Sequence, residues 1–293
     1  MTTDARLRAF VAVADTGSVR GAARHLVVTE SAVSSAVAAL AREVGVPLLE
    51  RDGRGLRLTG PGQAYAGYAR SILGLHDEAL AAARGESDPA RGRIRVAAVT
   101  TAGEHVLPGL LKTFLDRYPQ MDLQLETGTS ERVWGLLAAH QADLVIAGRP
   151  PASLPGVSVR AVRPNWLVVV AAPPLAAAFD PARIRWLLRE SGSGTRATCE
   201  ALLAGWEIDP PRLTLGSNGA VVAAAVAGLG ATLVSRDAVV GPLADGSLAE
   251  VKAPGIPLHR PWHTVTAAHM PASTTLFTRQ LLCSGWRRPS GRR

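Results

Sequence analysis

A glycine-rich string with an arginine at each end, Arg-Glu-Ser-Gly-Ser-Gly-Thr-Arg over residues 189–196, has the composition of an anion-binding loop. Its glycines allow the backbone to approach a ligand closely, and successive N–H groups form a concave site for oxygen atoms. Ser193, Gly194, Thr195 and Arg196 would supply the donors. A turn that only caps a helix would produce the same string, so both interpretations stay open. The string lacks the first glycine of Gly-x-Ser-x-Gly, so it predicts no nucleophilic serine.

Small polar residues also stand at other junctions between predicted strands and helices. In α/β sheets, ligands bind where the carboxyl ends of strands meet helix N-termini, because free N–H groups collect there. Threonine and serine at such places also simply cap helices. We expect a pocket for carboxylate or phosphate oxygens, whose further lining residues are Thr100, Thr101, Thr129, Ser130 and Asn218.

A run of serines near the N-terminus lies on a predicted helix that suits the major groove of DNA. The apolar stripe that predicts its buried face consists of Val33, Val37, Leu40 and Val44. Thr29 or Ser31 would cap the helix at its N-terminus, and Gly45 would end it. Small polar side chains are left on the outer face. The residues of this helix predicted to contact DNA are Thr29, Glu30, Ser31, Ser34 and Ser35.

Two shorter helices and a basic hairpin complete this segment. An apolar stripe from Leu7 to Ala14 predicts the first helix, and Ser18 is a good N-cap for the second and is also predicted at the DNA surface. Arginines then recur at every third position around Gly53 and Gly55, as expected of a hairpin tip that lays guanidinium groups on phosphates. These are Arg51, Arg54 and Arg57. The order of elements predicts a winged helix-turn-helix.

Glu30, at the start of the third helix, has two alternative roles. Its carboxylate would accept a hydrogen bond from cytosine N4, or it would only complement the positive end of the helix dipole. The sequence leaves both roles open.

The N-terminal segment resembles the signature of the LysR-type transcriptional regulators. The matching residues are Phe10, Gly17-Ser18, Ala22-Ala23, Leu26, Ser31 to Ser34, Leu40, Gly45, Leu48, Arg51, Leu58-Thr59 and Gly62. The string at 189–196 resembles the subgroup that regulates carbon dioxide fixation and sulfur assimilation, whose effectors tend to be small anionic metabolites. Glu30, Ala41, Leu49, Val99 and His105 depart from residues that are usual in the family. The operator sequence and the identity of the ligand therefore do not carry over.

The resemblance implies the architecture and the partners of the protein. It implies a multidomain chain with a mainly α N-terminal winged helix-turn-helix, a long linker helix, and a C-terminal α/β effector domain of two lobes, similar to periplasmic solute-binding proteins. The implied partners are double-stranded promoter DNA, a small anionic metabolite, RNA polymerase, and further copies of the chain in dimers that pair into a homotetramer. The metabolite would bind between the lobes and alter promoter binding or DNA bending. No catalytic residue, cofactor or metal is expected.

The positive net charge of the chain is not evidence for DNA binding, because it does not lie in the predicted DNA-binding segment. The chain of 293 residues carries a net charge of +8. Residues 1–90 contain 10 arginines and 10 acidic residues, so the whole excess lies in the later region. DNA binding would therefore depend on the local placement of the hairpin arginines, while the basic later region would attract an anion or keep the surface solvated.

Residues 61–88 are predicted to form a linker helix and hinge. Apolar and small residues recur at alternating spacings of three and four, which is typical of a coiled-coil seam, and a polar stretch follows. Such a stripe is covered either by a second chain, which predicts a dimerisation helix, or by the chain's own effector domain. The stripe consists of Tyr65, Tyr68, Ile72, Leu75, Ala79 and Ala82.

Apolar strands alternate with helices from residue 89 onward. The order β-α-β-α-β over 93–147 predicts a parallel sheet, with one continuous helix over 103–118. An apolar strand at 166–172 would cross into a second lobe, and a strand at 262–267 would return. The predicted boundaries are 1–60 for the winged helix-turn-helix and 89–293 for the effector domain, with lobe I at 89–162 and 266–285 and lobe II at 163–265.

Several other classes of function are disfavoured. No stretch reaches the roughly 18 apolar residues of a membrane span, and the N-terminus lacks the pattern of a secretory signal. We therefore expect a cytoplasmic protein without membrane contact. Cys199 would either pack internally or act as a low-pKa redox sensor, and Cys283 is interpreted as structural. His259, His263 and His269 are too loosely spaced to predict a metal site.

Two rival functions remain from the residues alone. A two-lobed solute-binding protein would be favoured by a signal sequence, and a hydrolase by a convergent nucleophile and base. Neither feature is visible in the sequence.

Overall fold

The computed structural model describes residues 3–53, 55–85, 88–154, 156–268 and 270–289. They form two compact units. The first runs to Ala83 and includes Ala138–Ala142, and the second begins at Arg84 and contains the remaining residues.

The first unit is a three-helix domain with a hairpin and a long following helix. Its elements are α1 (Thr3–Thr16), α2 (Val19–Leu26), α3 (Glu30–Val44), β1 (Leu49–Asp52), β2 (Gly55–Leu58) and α4 (Gly60–Gly85). Local signals set the helix ends. Ser18 caps α2 by accepting a hydrogen bond from Gly21 N, and Thr29 caps α3 by accepting one from Ala32 N. Gly45 ends α3 with a left-handed φ of 80°, as predicted.

Buried apolar side chains from all four helices form the core of the first unit. Phe10, Leu40 and Leu48 are buried together, and α4 contributes Ala66 and Leu73 to the same cluster. Burial of such side chains is the main force that holds short helices in place.

The hairpin of β1 and β2 is the predicted wing. The strands pair antiparallel, with Glu50 opposite Arg57 and Arg51 opposite Leu56. The backbone N–H of Leu56 also donates to the carbonyl of Gly17, at 2.8 Å, and this bond ties the wing to the turn between α1 and α2. The hairpin is therefore anchored to the helical core rather than projecting freely.

The apolar stripe of α4 divides between two environments. Tyr65 packs into the core, with its ring centroid 5.8 Å from that of Phe10, so its inclusion in an exposed seam was wrong. Tyr68, Ile72 and Leu75 are more than half exposed. Ala79 is exposed as well, and the side chain of Ala82 lies outside the described part of the chain.

The second unit contains two α/β lobes. Its elements up to the first crossing are a 3-10 turn (Pro89–Arg91), β3 (Arg93–Val99), α5 (Thr100–His105), α6 (Leu107–Arg117), β4 (Asp122–Gly128), α7 (Ser130–Ala138), β5 (Leu144–Ala147) and β6 (Val157–Arg163). Those that follow are β7 (Trp166–Ala171), α8 (Pro173–Ala177), β8 (Trp186–Leu188), α9 (Gly194–Gly205), β9 (Arg212–Thr214), α10 (Asn218–Val226), β10 (Thr232–Ser235), a 3-10 turn (Arg236–Val239), α11 (Val240–Ala244), β11 (Ala249–Val251), β12 (Leu258–His259), β13 (Trp262–Ala267) and α12 (Ala272–Cys283).

Lobe I is built on the sheet β4-β3-β5-β13-β6. The strands β4, β3 and β5 are parallel, as predicted, but β13 runs antiparallel to both β5 and β6. The sheet is therefore mixed, because β13 runs against the other four strands of this sheet. The sequence prediction did not include β6.

Lobe II is built around β7, which is completely apolar from Leu167 to Ala171 and buried there. It pairs antiparallel with β10, β11 and β12, while β8 and β9 form a separate parallel pair. The predicted apolar strand at 166–172 corresponds to β7, but the sequence prediction did not include β11 and β12 or the antiparallel pairing of β7 with them.

Two short crossings connect the lobes. The chain passes from β6 to β7 through residues 164–165 and from β12 to β13 through residues 260–261. The return to lobe I is earlier than the predicted residue 266, because the whole of β13 pairs in the lobe I sheet. The predicted single helix over 103–118 is also wrong. Pro108 cannot continue a helix from the preceding turn, and the chain forms α5 and α6 instead.

Candidate functional site

A polar cavity lies between the two lobes, where α5, α7 and α9 begin. Its free volume is about 20 Å³, which is room for about one water molecule, so a larger ligand would require the cavity to widen. The lining residues are Val99, Thr100, Thr101, Gly128, Thr129, Ser130, Arg189, Ser193, Gly194, Thr195, Arg260 and Trp262. We call this the inter-lobe cavity.

The hydroxyl groups of the inter-lobe cavity have local structural roles as well. Ser193 caps α9 by accepting from the N–H of Arg196 at 3.4 Å, and Thr129 accepts from the N–H of Arg132 at 3.3 Å. Thr100 donates to the carbonyl of Gly128, at 3.3 Å. Capping and cavity lining therefore coincide, because a helix N-terminus places its cap residue beside its free N–H groups.

Arg189 is a buried cation whose charge is neutralised within the protein. It is 5% exposed, and its Nε and Nη2 donate to the two carboxylate oxygens of Glu190 at 2.7 and 2.5 Å. Burial acts to raise the pKa of Glu190, but the hydrogen bonds from Arg189 and the backbone outweigh it and hold that pKa below its usual value. Nη1 of Arg189 also donates to Asn218 Oδ1 at 3.4 Å.

Arg260 is the second cavity arginine, and it lies on a crossing between the lobes. Its backbone N–H donates to the carbonyl of Asn165 at 2.9 Å, and Asn165 Nδ2 donates to the carbonyl of Arg260 at 2.8 Å. Asn165 belongs to the other crossing and is 2% exposed. This reciprocal pair joins the two crossings side by side and fixes the backbone that carries the Arg260 side chain.

The Arg260 guanidinium occupies space left by two glycines. A Cβ at Gly194 would stand 2.6 Å from Nη2 of Arg260 and 2.5 Å from Oγ of Ser130, and a Cβ at Gly148 would stand 3.1 Å from the same Nη2. Burial lowers the pKa of Arg260. In the part of the chain that the structure describes, its guanidinium has no carboxylate partner.

Most of the residues predicted for a ligand pocket come together in the inter-lobe cavity, but Arg196 and Asn218 do not line it. Nε of Arg196 donates to Glu200 one helical turn further on, at 2.8 Å, and Nη1 donates to the carbonyl of Arg189. Asn218 is buried behind Arg189. The sequence prediction missed Arg189 as a pocket residue although it begins the glycine-rich string, and it had no signal for Arg260.

The exposed face of α3 carries the serines predicted to enter a DNA groove. Ser31, Ser34 and Ser35 are exposed, while Val33 and Leu40 are buried on the opposite face. Thr29 forms the N-cap.

Glu30 pairs with a residue that the sequence prediction did not consider. Its carboxylate lies 3.4 Å from Nε of Arg20 on α2, and both side chains are well exposed. The two helices of the helix-turn-helix are thus linked across their outer surface by opposite charges.

The wing arginines have different environments. Arg57 Nη2 lies 2.9 Å from the carboxylate of Glu50, its partner across the hairpin, and Arg51 is exposed on β1. Arg54 lies outside the described residues.

Cys199 packs internally, which is the first of its two predicted alternatives, whereas Cys283 differs from its interpretation. Cys199 is 2% exposed, and burial raises the pKa of its thiol to about 12, which excludes the low-pKa sensor. Cys283, which was interpreted as structural, is exposed. Within the described residues no three His, Cys, Asp or Glu side chains cluster as a metal site, and His269 lies outside those residues.

The chain combines a winged helix-turn-helix, whose third helix exposes small residues, with two lobes around a cavity lined by arginines. This combination defines a DNA-binding regulator with a ligand-binding domain. Residues 5–63 match the family described as bacterial regulatory helix-turn-helix protein, lysR family, and residues 87–282 match the LysR substrate binding domain. The chain belongs to the LysR family of transcriptional regulators.

Two named regulators are similar to this chain over most of its length. The HTH-type transcriptional regulator CbbR of Rhodospirillum rubrum is 34% identical over 269 residues, which cover 89% of this chain and 88% of that protein. The RuBisCO operon transcriptional regulator of Acidithiobacillus ferrooxidans is 35% identical over 274 residues, covering 90% and 87%.

Two solved structures are similar to this chain. The CcmR regulatory domain of Synechocystis PCC6803 in complex with 2-PG has a TM-score of 0.61 and 27% identity, covering 66% of this chain and 97% of that one. Full-length CbnR complexed with its target DNA has a TM-score of 0.66 and 22% identity, covering 97% and 100%, and it shows a common fold. Across the described residues, no helix is long and apolar enough to cross a membrane.

Proposed function

We propose that this LysR-family regulator controls promoters in response to a small anionic metabolite that binds in the inter-lobe cavity. The observation that carries the proposal is the pair of arginines, Arg189 and Arg260, that faces the N-termini of α7 and α9 in that cavity. Cations and helix N-termini both favour anions, and their effect is stronger in a closed, poorly solvated site.

The relatives support a role connected with carbon fixation. Those described above include a RuBisCO operon regulator and a CbbR, and the similar CcmR domain is bound to 2-PG. We propose that the effector is a small anionic compound of the same kind as 2-PG. The residues proposed to bind it are Thr100, Thr101, Thr129, Ser130, Ser193, Gly194 and Thr195, with Arg189 and Arg260 added.

The winged helix-turn-helix is proposed to bind double-stranded promoter DNA. Ser31, Ser34 and Ser35 would enter the major groove, and Ser18 and Thr29 would place helix N-termini at phosphates. The wing arginines would contact the backbone on either side of the groove. Arg20 and Glu30 would act together at the start of α3.

Self-association is proposed to involve the exposed stripe of α4. Tyr68, Ile72 and Leu75 are large side chains left largely in contact with water, and a second copy of the helix would cover them. Dimers would pair into tetramers that contact RNA polymerase. Closure of the lobes around a metabolite would then change how the DNA-binding domains are spaced. The protein would act in the cytoplasm and would not be an enzyme.

A substitution on α3 tests the DNA-binding part of the proposal. A DNA ligand is first selected from a random library with the wild-type protein, and affinities for it are then measured by fluorescence anisotropy. Ser34→Glu places a negative charge among phosphates, so we expect a loss of about 100-fold or more in affinity. Ser153→Glu adds the same charge to an exposed loop of the other unit and should bind like wild type. Equal affinities of the two variants would remove α3 from the interface.

A further inference from the structure

Two side chains that line the inter-lobe cavity, and one that lies behind it, carry donors without a partner among the described residues. The guanidinium of Arg260 has no carboxylate partner among the described residues. Nε1 of Trp262, which also lines the cavity and is 2% exposed, has no hydrogen-bond partner in the described part of the chain, and the same holds for Nδ2 of Asn218 behind Arg189. Buried donors are nearly always paired, so a group of unpaired donors around one cavity indicates a missing acceptor.

The other two arginines near the cavity are already engaged. Arg189 is held by both oxygens of Glu190, and Arg196 is held by Glu200 and a backbone carbonyl. A ligand that took either arginine would first have to displace a carboxylate. Arg260 has no such competitor among the described residues, and its charge is uncompensated in a site where burial already disfavours the cation.

We propose that Arg260 is the charge anchor for the effector, and that the effector is a small oxyanion whose oxygens accept hydrogen bonds from Arg260 and from Nε1 of Trp262. This inference rests on the proposed function, because it concerns the ligand of the same cavity. It goes further by assigning the anchor to a residue on the crossing between lobes rather than to the glycine-rich string. It also specifies that the part of the ligand next to Arg260 and Trp262 accepts hydrogen bonds and donates none.

The position of Arg260 also explains how its charge would be linked to closure. The guanidinium lies against Gly148, which follows β5 of lobe I, and against Gly194, which begins α9 of lobe II. An uncompensated cation is costly in the closed cavity and cheaper when water can reach it. An anion that neutralises Arg260 therefore favours the closed arrangement over an open one.

Calorimetric titration of the full chain tests the anchor. The probes are 2-PG, inorganic phosphate and acetate, and the last two separate a phosphate head group from a carboxylate. Arg260→Gln should weaken the binding of the anion that the wild type prefers by about 30-fold or more, because the loss of a buried charged partner is severe. Arg196→Gln is the matched control and should change the affinity by less than about 3-fold, since its guanidinium is committed elsewhere.

Thermal melting distinguishes an anchor from a merely structural residue. Without ligand, Arg260→Gln should melt at the wild-type temperature or above, because an uncompensated charge has been removed. With ligand, the wild type should gain stability and the variant should not. A variant that melts lower than wild type without ligand and still gains the full increase with ligand would overturn the inference.

A second variant keeps the inference testable if Arg260→Gln does not fold. Trp262→Phe removes the Nε1 donor together with part of a ring that is buried in the lobe I core, so it should lose about 5-fold in affinity and some stability. In ¹⁵N-labelled wild type, the indole resonance absent from this variant should move downfield when the anion binds. No movement on saturation would overturn the assigned contact.

The outcomes separate this inference from the proposed function. If the wild type binds none of the three anions, the anionic effector and its anchor both fail. If it binds one of them and Arg260→Gln binds equally well, only the anchor fails.

Discussion

Two regions of the protein, the winged helix-turn-helix and the inter-lobe cavity, are proposed to bind anions. Their charged side chains are exposed in the first region and buried in the second. On the winged helix-turn-helix, the ion pairs Arg20–Glu30 and Arg57–Glu50 are at the surface, with arginine side chains 77% and 63% exposed. In the inter-lobe cavity, Arg189 is 5% exposed, and Arg260 is mostly buried with no carboxylate partner among the residues that the structure describes. Exposed charges are screened by salt and each contributes little, whereas buried charges depend strongly on their partners.

Because of this difference in burial, the two regions should respond differently to salt and to substitutions. DNA affinity is expected to come from many weak contacts and to fall steeply with salt. Effector affinity is expected to depend on a few groups and on the fit of the closed cavity. Substitutions in the cavity should therefore have larger effects than substitutions of single surface charges.

The largest effect, on the free energy of unfolding, is expected where hydrogen bonds connect the two crossings. Asn165→Ala removes the hydrogen bond to the carbonyl of Arg260 and the bond that Asn165 Oδ1 accepts from Ser235 at 2.6 Å. Buried groups would be left unpaired, so the free energy of unfolding should fall by about 3 kcal/mol. Urea denaturation measures it, with the exposed Gln124→Ala as control. A loss below about 1 kcal/mol would show that the crossings are held by other contacts.

The next effect is steric and concerns the fit of the cavity. Gly194→Ala places a methyl group 2.5 Å from Ser130 Oγ and 2.6 Å from Arg260 Nη2, so these groups must move. We expect a loss of about 10-fold in affinity for the effector anion with unchanged DNA binding. Gly205→Ala, at the other end of α9, meets no atom within 4 Å and serves as the control. Unchanged anion binding by Gly194→Ala would mean that the ligand does not require the closed cavity.

A smaller effect is expected for a wing arginine. Arg57→Ala should reduce DNA affinity by about 3-fold, flatten the plot of log affinity against log salt by about one unit, and change stability by less than 1 kcal/mol. Arg6→Ala breaks a comparable surface pair with Glu43 on the helical core and should leave the salt dependence unchanged. A loss for Arg57→Ala as large as that for Arg260→Gln would break the contrast between the two regions.

The smallest effect concerns pH. The pKa of Glu190 is lowered below its usual 4.5 in the folded protein, so its ionised form contributes stability above pH 4.5 that is lost as the pH falls through the folded pKa. The stability difference between wild type and Glu190→Gln should therefore shrink between pH 5 and pH 3. Unfolding free energies across that range measure it, and a constant difference would contradict the assigned cause.

Prediction from sequence succeeded where signals are local. The caps Ser18, Thr29 and Gly45 and the apolar stripe of α3 lie within a few residues of what they determine, so the helix-turn-helix follows directly from them. The hydroxyl-bearing residues of the inter-lobe cavity were also predictable, because they stand at the ends of strands where helices begin.

The cationic part of the cavity was not predictable in the same way. Arg196 occupies the place in the string where a ligand contact was expected, but helical spacing brings it to Glu200. Arg260 is next to no glycine-rich loop. It reaches the cavity only because β13 pairs with β5 and β6, and that pairing depends on contacts far apart in the sequence.

The reciprocal bonds between Asn165 and Arg260 have a kinetic consequence. A residue close to the axis on which two lobes turn moves little as they turn, so the anchor is in place whether the lobes are apart or together. Encounter with the anion and closure are then separate steps. The association rate should reflect access to the anchor, and the dissociation rate should reflect how long the lobes stay together, so variants such as Gly194→Ala should act mainly on residence time.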